Sequence, residues 1–155
     1  ISNLYDIFSS ISKLSKIYSH YLFIFPIHKN PLLRKEVKKI LNNAQNVKLI
    51  EPLNYLENLK LIKKSLFIIS DSGGIQEEAP YFGTPLLIAR NDTERPEGIN
   101  SKNSIMVESN INKILFFSKK LINNKRFYNK YSKVRYPYGN GKASEKILKI
   151  LSEKL

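Results

Sequence analysis

SDSGGIQEEAPYFGTPLLI, Ser70 to Ile88, decides the fold of this chain. The apolar run Leu66 to Ile69 reads as a buried strand, and it stops at the polar turn Ser70-Asp71-Ser72. Gly73 and Gly74 then open a helix that Gly83 ends, and Thr84-Pro85 turns into a further strand, Leu86 to Ala89. A strand, a tight polar turn, two glycines and a helix present unpaired backbone N–H groups to an anion. Glu77 and Glu78 follow one turn later, where the ribose of a bound nucleotide would lie. The stretch therefore points to a nucleotide or nucleotide-sugar site.

The same alternation continues on both sides. Upstream, Leu4, Ile7, Phe8, Ile11, Leu14 and Ile17 give a helix near residues 4 to 19, and Tyr21 to Ile27 reads as a strand. His28-Lys29-Asn30-Pro31 leads into a helix from about Leu32 to Leu41, which Asn42-Asn43 stops. Val47 to Ile50 is a strand, Glu51-Pro52 breaks it, and Tyr55 to Lys63 is helical. Downstream come a polar loop from Arg90 to Ser101, a strand at Ile105 to Val107 and a helix at Ile111 to Ile122. A helical piece at Phe127 to Ser132, a turn at Pro137 to Gly141 and a closing helix at Ser144 to Leu155 complete the chain.

Strands alternating with helices over short connections imply an α/β fold with a parallel sheet covered by helices on both faces, because parallel crossovers need a helix. Ligands of such sheets bind outside the carboxyl ends of the strands. His28, Leu53 to Asn58, Ser72 to Glu78 and Arg90 to Glu97 all follow predicted strands and converge on that edge.

Composition narrows the class. At 155 residues and 18.0 kDa the chain is about one domain, and 42% hydrophobic residues suffice for a core. No apolar run approaches the roughly 20 residues of a membrane span. The absence of cysteine excludes disulfides and thiolate metal sites and fits a reducing, cytoplasmic setting. No signal-peptide pattern is present, and a start at Ile1 rather than Met suggests sequence missing upstream. The net charge of +13 invites a nucleic-acid reading. Lysine far outnumbers the five scattered arginines, however, and base readers favour the arginine fork, so a solvated lysine surface is preferred.

Among single residues, Ser72, Gly73 and Gly74 form the strongest element, although Ser72 alone would also suit a plain helix cap. Glu78 lies four residues past Gly74 on the same helix face, in reach of both ribose hydroxyls. Glu77 faces solvent or a basic neighbour. Arg95 suits a diphosphate or a sugar, and equally an ion pair with Glu94 or Glu97. His28 is open to a ligand or proton-transfer role, against simple capping of the next helix. His20 reads as structural. No His, Cys or carboxylate cluster has metal-ligand spacing, and no nucleophile stands beside a base.

Ser70 to Glu97, SDSGGIQEEAPYFGTPLLIARNDTERPE, closely resembles the non-hydrolysing UDP-N-acetylglucosamine 2-epimerases. PIHKNPLLRKEV (Pro26 to Val37), EPLNYLENLKLI (Glu51 to Ile62) and PYGNGKAS (Pro137 to Ser144) extend the likeness over nearly the whole chain. The resemblance implies a glycosyltransferase-B type fold, of which residues 1–155 are the C-terminal, UDP-binding Rossmann-like half, with the N-terminal domain absent from this chain. It implies that Ser72, Gly73 and Gly74 hold the diphosphate, that Glu78 holds the ribose and that Arg95 lies at the diphosphate or sugar. The loop Leu53 to Asn58 would receive uracil, and His28 would face the interdomain cleft, near substrate or a regulatory nucleotide-sugar.

The implied reaction interconverts UDP-N-acetylglucosamine and UDP-N-acetylmannosamine by elimination and readdition of UDP, for cell-surface polysaccharide synthesis. It uses no cofactor and works in a homodimer. The groups acting at C2 belong to the upstream half, so this chain alone is expected to be inactive or nearly so. Two departures stand out: Lys102-Asn103 occupies the place of the family's usual Gly-Thr pair, and Asn140 replaces the Asp of a Tyr-Gly-Asp-Gly turn. A non-catalytic UDP-sugar-binding module or remnant, and the nucleotide-binding half of a glycosyltransferase, are the alternative readings.

Overall fold

A computed structural model describes residues 2–41 and 44–154. Side chains are described from residue 5 to 41 and from 44 to 153, so the side chain of Leu4 is not described, and the Asn42-Asn43 stop and Leu155 lie outside the described residues. The elements follow the order α1 (Ser2–Ile17), β1 (Phe23–Pro26), α2 (Pro31–Leu41), β2 (Val47–Ile50), α3 (Tyr55–Lys64), β3 (Ile68–Ser70) and α4 (Gly73–Phe82). Then come β4 (Leu86–Ile88), α5 (Glu97–Asn100), β5 (Ser104–Met106), α6 (Ile111–Asn123), α7 (Lys125–Tyr131) and α8 (Ala143–Lys154).

All strand pairs are parallel, as the alternation requires. β1 pairs with β2 in the register Phe23 to Val47, and β4 lies between β3 and β5 with Ile68, Leu86 and Ser104 in line. The ladders do not form one sheet, however. The order is β1-β2 in one and β3-β4-β5 in the other.

β4 shows why helices cover both faces. Leu87 and the following Ala89 point to a core with Leu14 and Tyr18 of α1 and Ile114 and Leu121 of α6. Leu86 and Ile88 point the other way, to Ile62 of α3 and Ala79 of α4. Successive strand residues face opposite sides, so a strand buried on both faces reads as a continuous apolar run. Phe8 of α1 reaches a third cluster with Ile27, Val37 and Leu41. Asn46 closes α1 by donating from Nδ2 to the carbonyls of Ser15, Tyr18 and Tyr21, at 2.9 to 3.1 Å.

Three local expectations need correction. The polar stretch Arg90 to Ser101 is not all loop, since Glu97–Asn100 forms the short α5. Ile17, counted on the apolar face of α1, is half exposed, and Ser10 and Ser15 are buried instead, each donating to a carbonyl one turn back. The segment Leu53 to Asn58 is mostly the first turn of α3, where Asn54 and Glu57 form a reciprocal capping box.

Candidate functional site

The site is built at the start of α4. Ser72 occupies the N-cap position in extended conformation, yet its side chain makes no capping hydrogen bond. The first N–H groups of α4 lack partners inside the helix, and Ser72 and Gly74 are both exposed beside them. A Cβ on Gly74 would meet only Ser72 Oγ at 3.9 Å, whereas one on Gly73 would lie 2.8 Å from Arg95 Nη1. Gly73 is thus the floor on which the Arg95 guanidinium rests.

Arg95 is held from several sides. Its Nε donates to Glu77 at 2.5 Å and its Nη1 to Glu94, while Glu94 also pairs with Arg90. The hydrogen bond to Glu77, before all else, raises the Arg95 pKa further, so the group stays cationic. The side chain remains 26% exposed. Glu77 therefore has the basic neighbour expected of it, and the carboxylates on Arg95 are Glu77 and Glu94.

Two residues that sequence reasoning did not single out fix this loop. Gln76 is fully buried, and its Oε1 accepts from Thr93 Oγ1 at 2.6 Å. Thr93 Oγ1 in turn accepts from the Arg95 backbone N–H at 3.2 Å. Tyr138 Oη donates to the Arg95 carbonyl at 3.1 Å and accepts from Gly98 N at 3.0 Å. Burial pushes the Tyr138 phenol up. Their one sequence signal was position inside motifs already quoted; partners 17 and 43 residues apart leave no periodic trace.

Glu78 is half-buried and has no hydrogen-bond or ion-pair partner among the described residues. Desolvation, and then repulsion from Glu77, raises its carboxyl above the ordinary carboxylate range. An acceptor held short of partners is suited to a pair of hydroxyl donors.

The remaining candidates are not hydrogen-bonded to this cluster. His28 is exposed after β1; its Nδ1 accepts from Asn30 N at 3.2 Å and its carbonyl from Arg34 Nε. Arg34 forks onto both oxygens of Glu51 at 2.7 and 2.6 Å. Leu53 lines an open groove of about 370 Å³ with Ile24, Ile50 and Leu61, and Asn58 donates its backbone N–H to Asn54 O. Neither His28, Leu53 nor Asn58 makes a hydrogen bond to the Ser72–Arg95 cluster. No group of three or more potential metal ligands occurs among the described residues. No helix among them is long and apolar enough to cross a membrane.

The departures from the family pattern have local explanations. Lys102 adopts φ of 60°, a left-handed conformation that favours glycine. Asn103 is fully buried and donates from Nδ2 to the Lys133 carbonyl at 2.8 Å. Asn140 accepts from Lys142 N at 3.3 Å inside a turn with Gly139 and Gly141 at positive φ.

Parallel strands with helices on both faces make this a Rossmann-like α/β protein, and its structural neighbours are of the glycosyltransferase-B type. A family model described as UDP-N-acetylglucosamine 2-epimerase matches residues 2–152. The chain belongs to that family and matches the C-terminal domain of a full-length member. It is 48% identical over 128 residues to UDP-N-acetylglucosamine 2-epimerase of Campylobacter jejuni, covering 83% of this chain and 33% of that relative. The Neisseria meningitidis enzyme is 42% identical over 142 residues, covering 92% and 38%.

The crystal structure of the Neisseria meningitidis enzyme bound to UDP-GlcNAc superposes with a TM-score of 0.90 at 40% identity, over 99% of this chain and 41% of that one. The Methanocaldococcus jannaschii enzyme in complex with UDP-GlcNAc and UDP gives 0.77 at 35% identity, over 97% and 41%. The chain thus spans well under half the length of these relatives.

Proposed function

We propose that residues 1–155 are one UDP-binding domain of a non-hydrolysing UDP-N-acetylglucosamine 2-epimerase. The observation that carries this is the start of α4, where an uncommitted Ser72 hydroxyl, two glycines and a guanidinium lying on Gly73 surround unpaired N–H groups. A diphosphate takes the N–H groups of Gly73 and Gly74, the Ser72 hydroxyl and Arg95, which trades one of its carboxylates for phosphate oxygen. Glu78 accepts from the ribose hydroxyls. Uracil lies against Leu53 and the first turn of α3, near Asn58, and reads main-chain groups. His28, with Nδ1 engaged, offers Nε2 to the interdomain cleft.

In the whole enzyme UDP leaves C1 as the C2 proton is removed, and it returns after the proton has been delivered to the opposite face. This domain's part is to hold the leaving diphosphate, where fixed donors stabilise the charge that develops on it. The proton transfers at C2 belong to groups of the N-terminal domain, so the isolated chain binds without epimerising. Its partners are UDP-N-acetylglucosamine, UDP-N-acetylmannosamine, that domain and a second subunit, in the cytoplasm.

Calorimetric titration of UDP into the chain, beside Glu78→Ala, tests the assignment. Binding that weakens about tenfold or more in the variant is expected, for two hydrogen bonds to a charged acceptor. Equal binding by both proteins would remove Glu78 from the site.

A further inference from the structure

Gln76 stands where the pattern of α4 calls for an apolar residue. It is fully buried, on the same helix face as Ala79 and Pro80, three and four residues further on. Its Oε1 accepts from Thr93 Oγ1 at 2.6 Å, but its Nε2, also buried, has no partner among the described residues. Turning the amide over would exchange one unpaired atom for the other, because a hydroxyl both donates and accepts. A buried donor without an acceptor weakens folding, and an apolar side chain of the same length would not. Gln76 is thus poorly suited to stability alone, and such exceptions concentrate where function needs them.

What Gln76 grips is the Arg95 segment. Residues 89–96 form neither helix nor strand, so their shape depends on a few side-chain ties. Thr93 Oγ1, bonded to Gln76, accepts from the Arg95 backbone N–H at 3.2 Å. Tyr138 Oη donates to the carbonyl of the same residue. Gln76 also donates its own backbone N–H to Ser72 O at 3.3 Å. One residue therefore links the Ser72 turn to the main chain of Arg95. The guanidinium's own bonds, to Glu77 and Glu94, cannot serve as that anchor, because a diphosphate competes for the same N–H groups.

We propose that Gln76 is a positioning residue of the diphosphate site, which through the Thr93 hydroxyl fixes the main chain of Arg95 while the guanidinium changes partners. This role rests on the nucleotide site proposed above. A guanidinium carried on a fixed segment meets the diphosphate with little left to order, whereas a loosened segment must be ordered on binding. Gln76, being buried, acts through Thr93 and Arg95 rather than on the ligand.

Gln76→Met keeps the length of the side chain and removes both polar atoms. Melts of the chain should give a Tm within about 2 °C of the parent or above it. Calorimetry should nonetheless show affinity for UDP lower by about three- to tenfold. Thr93→Val cuts the same tie from its partly exposed side, so it carries the test even if Gln76→Met unfolds. It should weaken binding at least as much, and adding Gln76→Met to it should change affinity by less than about twofold. Thr93→Ser, which keeps the hydroxyl, should bind as the parent does. In an Arg95→Ala chain, Gln76→Met should likewise have less than about a twofold effect. The free chain carries its own signature: the Arg95 amide, its acceptor untethered, should exchange about threefold or more faster in Gln76→Met.

A merely structural Gln76 would give the reverse, a lower Tm with UDP affinity unchanged, and would overturn the proposal. So would an equal loss of affinity with and without Arg95, or parent-like binding by Thr93→Val. A parent chain that binds no UDP would overturn the nucleotide site and this role together. Parent binding matched by Gln76→Met would overturn the role alone.

Discussion

Gly73→Ala and Gly74→Ala separate what the two glycines do. A Cβ at position 73 falls 2.8 Å from Arg95 Nη1 and 3.0 Å from Cζ, closer than such contacts allow, so the guanidinium must move. It is the far end of a flexible side chain, and its ion pair with Glu77 is partly solvated, so losing it costs little. Alanine returns roughly 0.8–1 kcal/mol of helix propensity, less at a first turn. Folding stability should therefore change little. The displaced guanidinium no longer meets the diphosphate, a charge-assisted contact of about 1.5–3 kcal/mol, or roughly ten- to hundredfold in affinity for UDP.

At Gly74 the added methyl meets only Ser72 Oγ at 3.9 Å. Stability should be kept or slightly raised, and any loss of affinity comes from the methyl facing the ligand itself. Thermal melts give the first quantity and calorimetry with UDP the second. A Gly73→Ala protein that binds UDP as tightly as the parent would refute the placement of Arg95 in the site. One that unfolds would show that the guanidinium was not free to move.

Other expectations follow from single positions. Lys102→Gly relieves a left-handed backbone that costs a side-chain-bearing residue about 1–2 kcal/mol, offset by glycine's greater unfolded-state freedom. A net gain near 0.5–1 kcal/mol should raise Tm by about 1–4 °C, with UDP binding unaltered; an unchanged or lower Tm would contradict this. Tyr138→Phe strips the Gly98 N–H and the Arg95 carbonyl of their partner and should destabilise by about 1–3 kcal/mol in urea titration; a change below 0.5 kcal/mol (roughly the noise of a surface substitution) would show the tie is dispensable.

Glu78 gives a pH dependence of known sign. Its folded pKa lies above the ordinary value, so the free domain is favoured by the protonated form, and that contribution is lost as pH rises through the raised pKa. Binding runs the opposite way if the carboxylate is the acceptor. Affinity for UDP-N-acetylglucosamine, whose diester diphosphate does not titrate in this range, should fall as pH drops from neutrality through that pKa. Glu78→Gln should flatten the profile, and an unchanged profile in that variant would count against the role.

Much of this was legible in the sequence. Short apolar runs such as Leu86 to Ile88 and the 3.6-residue spacing of α6 carry their own signal, so element types emerged with ends shifted by a residue or two. Gly83 stood out because a left-handed cap needs it, and its φ is 65°. What escaped were relations between distant residues. Gln76 looks like any polar helix residue until Thr93 is seen above it, and Tyr138 like any turn aromatic until it reaches Arg95. α5, at four residues, is too short for a period. The division of the strands into two ladders was hidden because hydrophobic pattern reports strands, not their neighbours. Arg95 could be read either as ligand-binding or as paired with carboxylates, and its geometry combines the pairing with a seat on Gly73.

The most direct test of the UDP site is to follow backbone amide resonances of the folded chain while UDP is added. The account predicts saturable shifts largest at Ser72, Gly73 and Gly74, with Glu78 and Arg95 next, and smaller ones at Leu53 to Asn58. Shifts centred elsewhere, or none from a chain whose spectrum is that of a folded protein at millimolar UDP (about the weakest affinity worth calling a site), would contradict it.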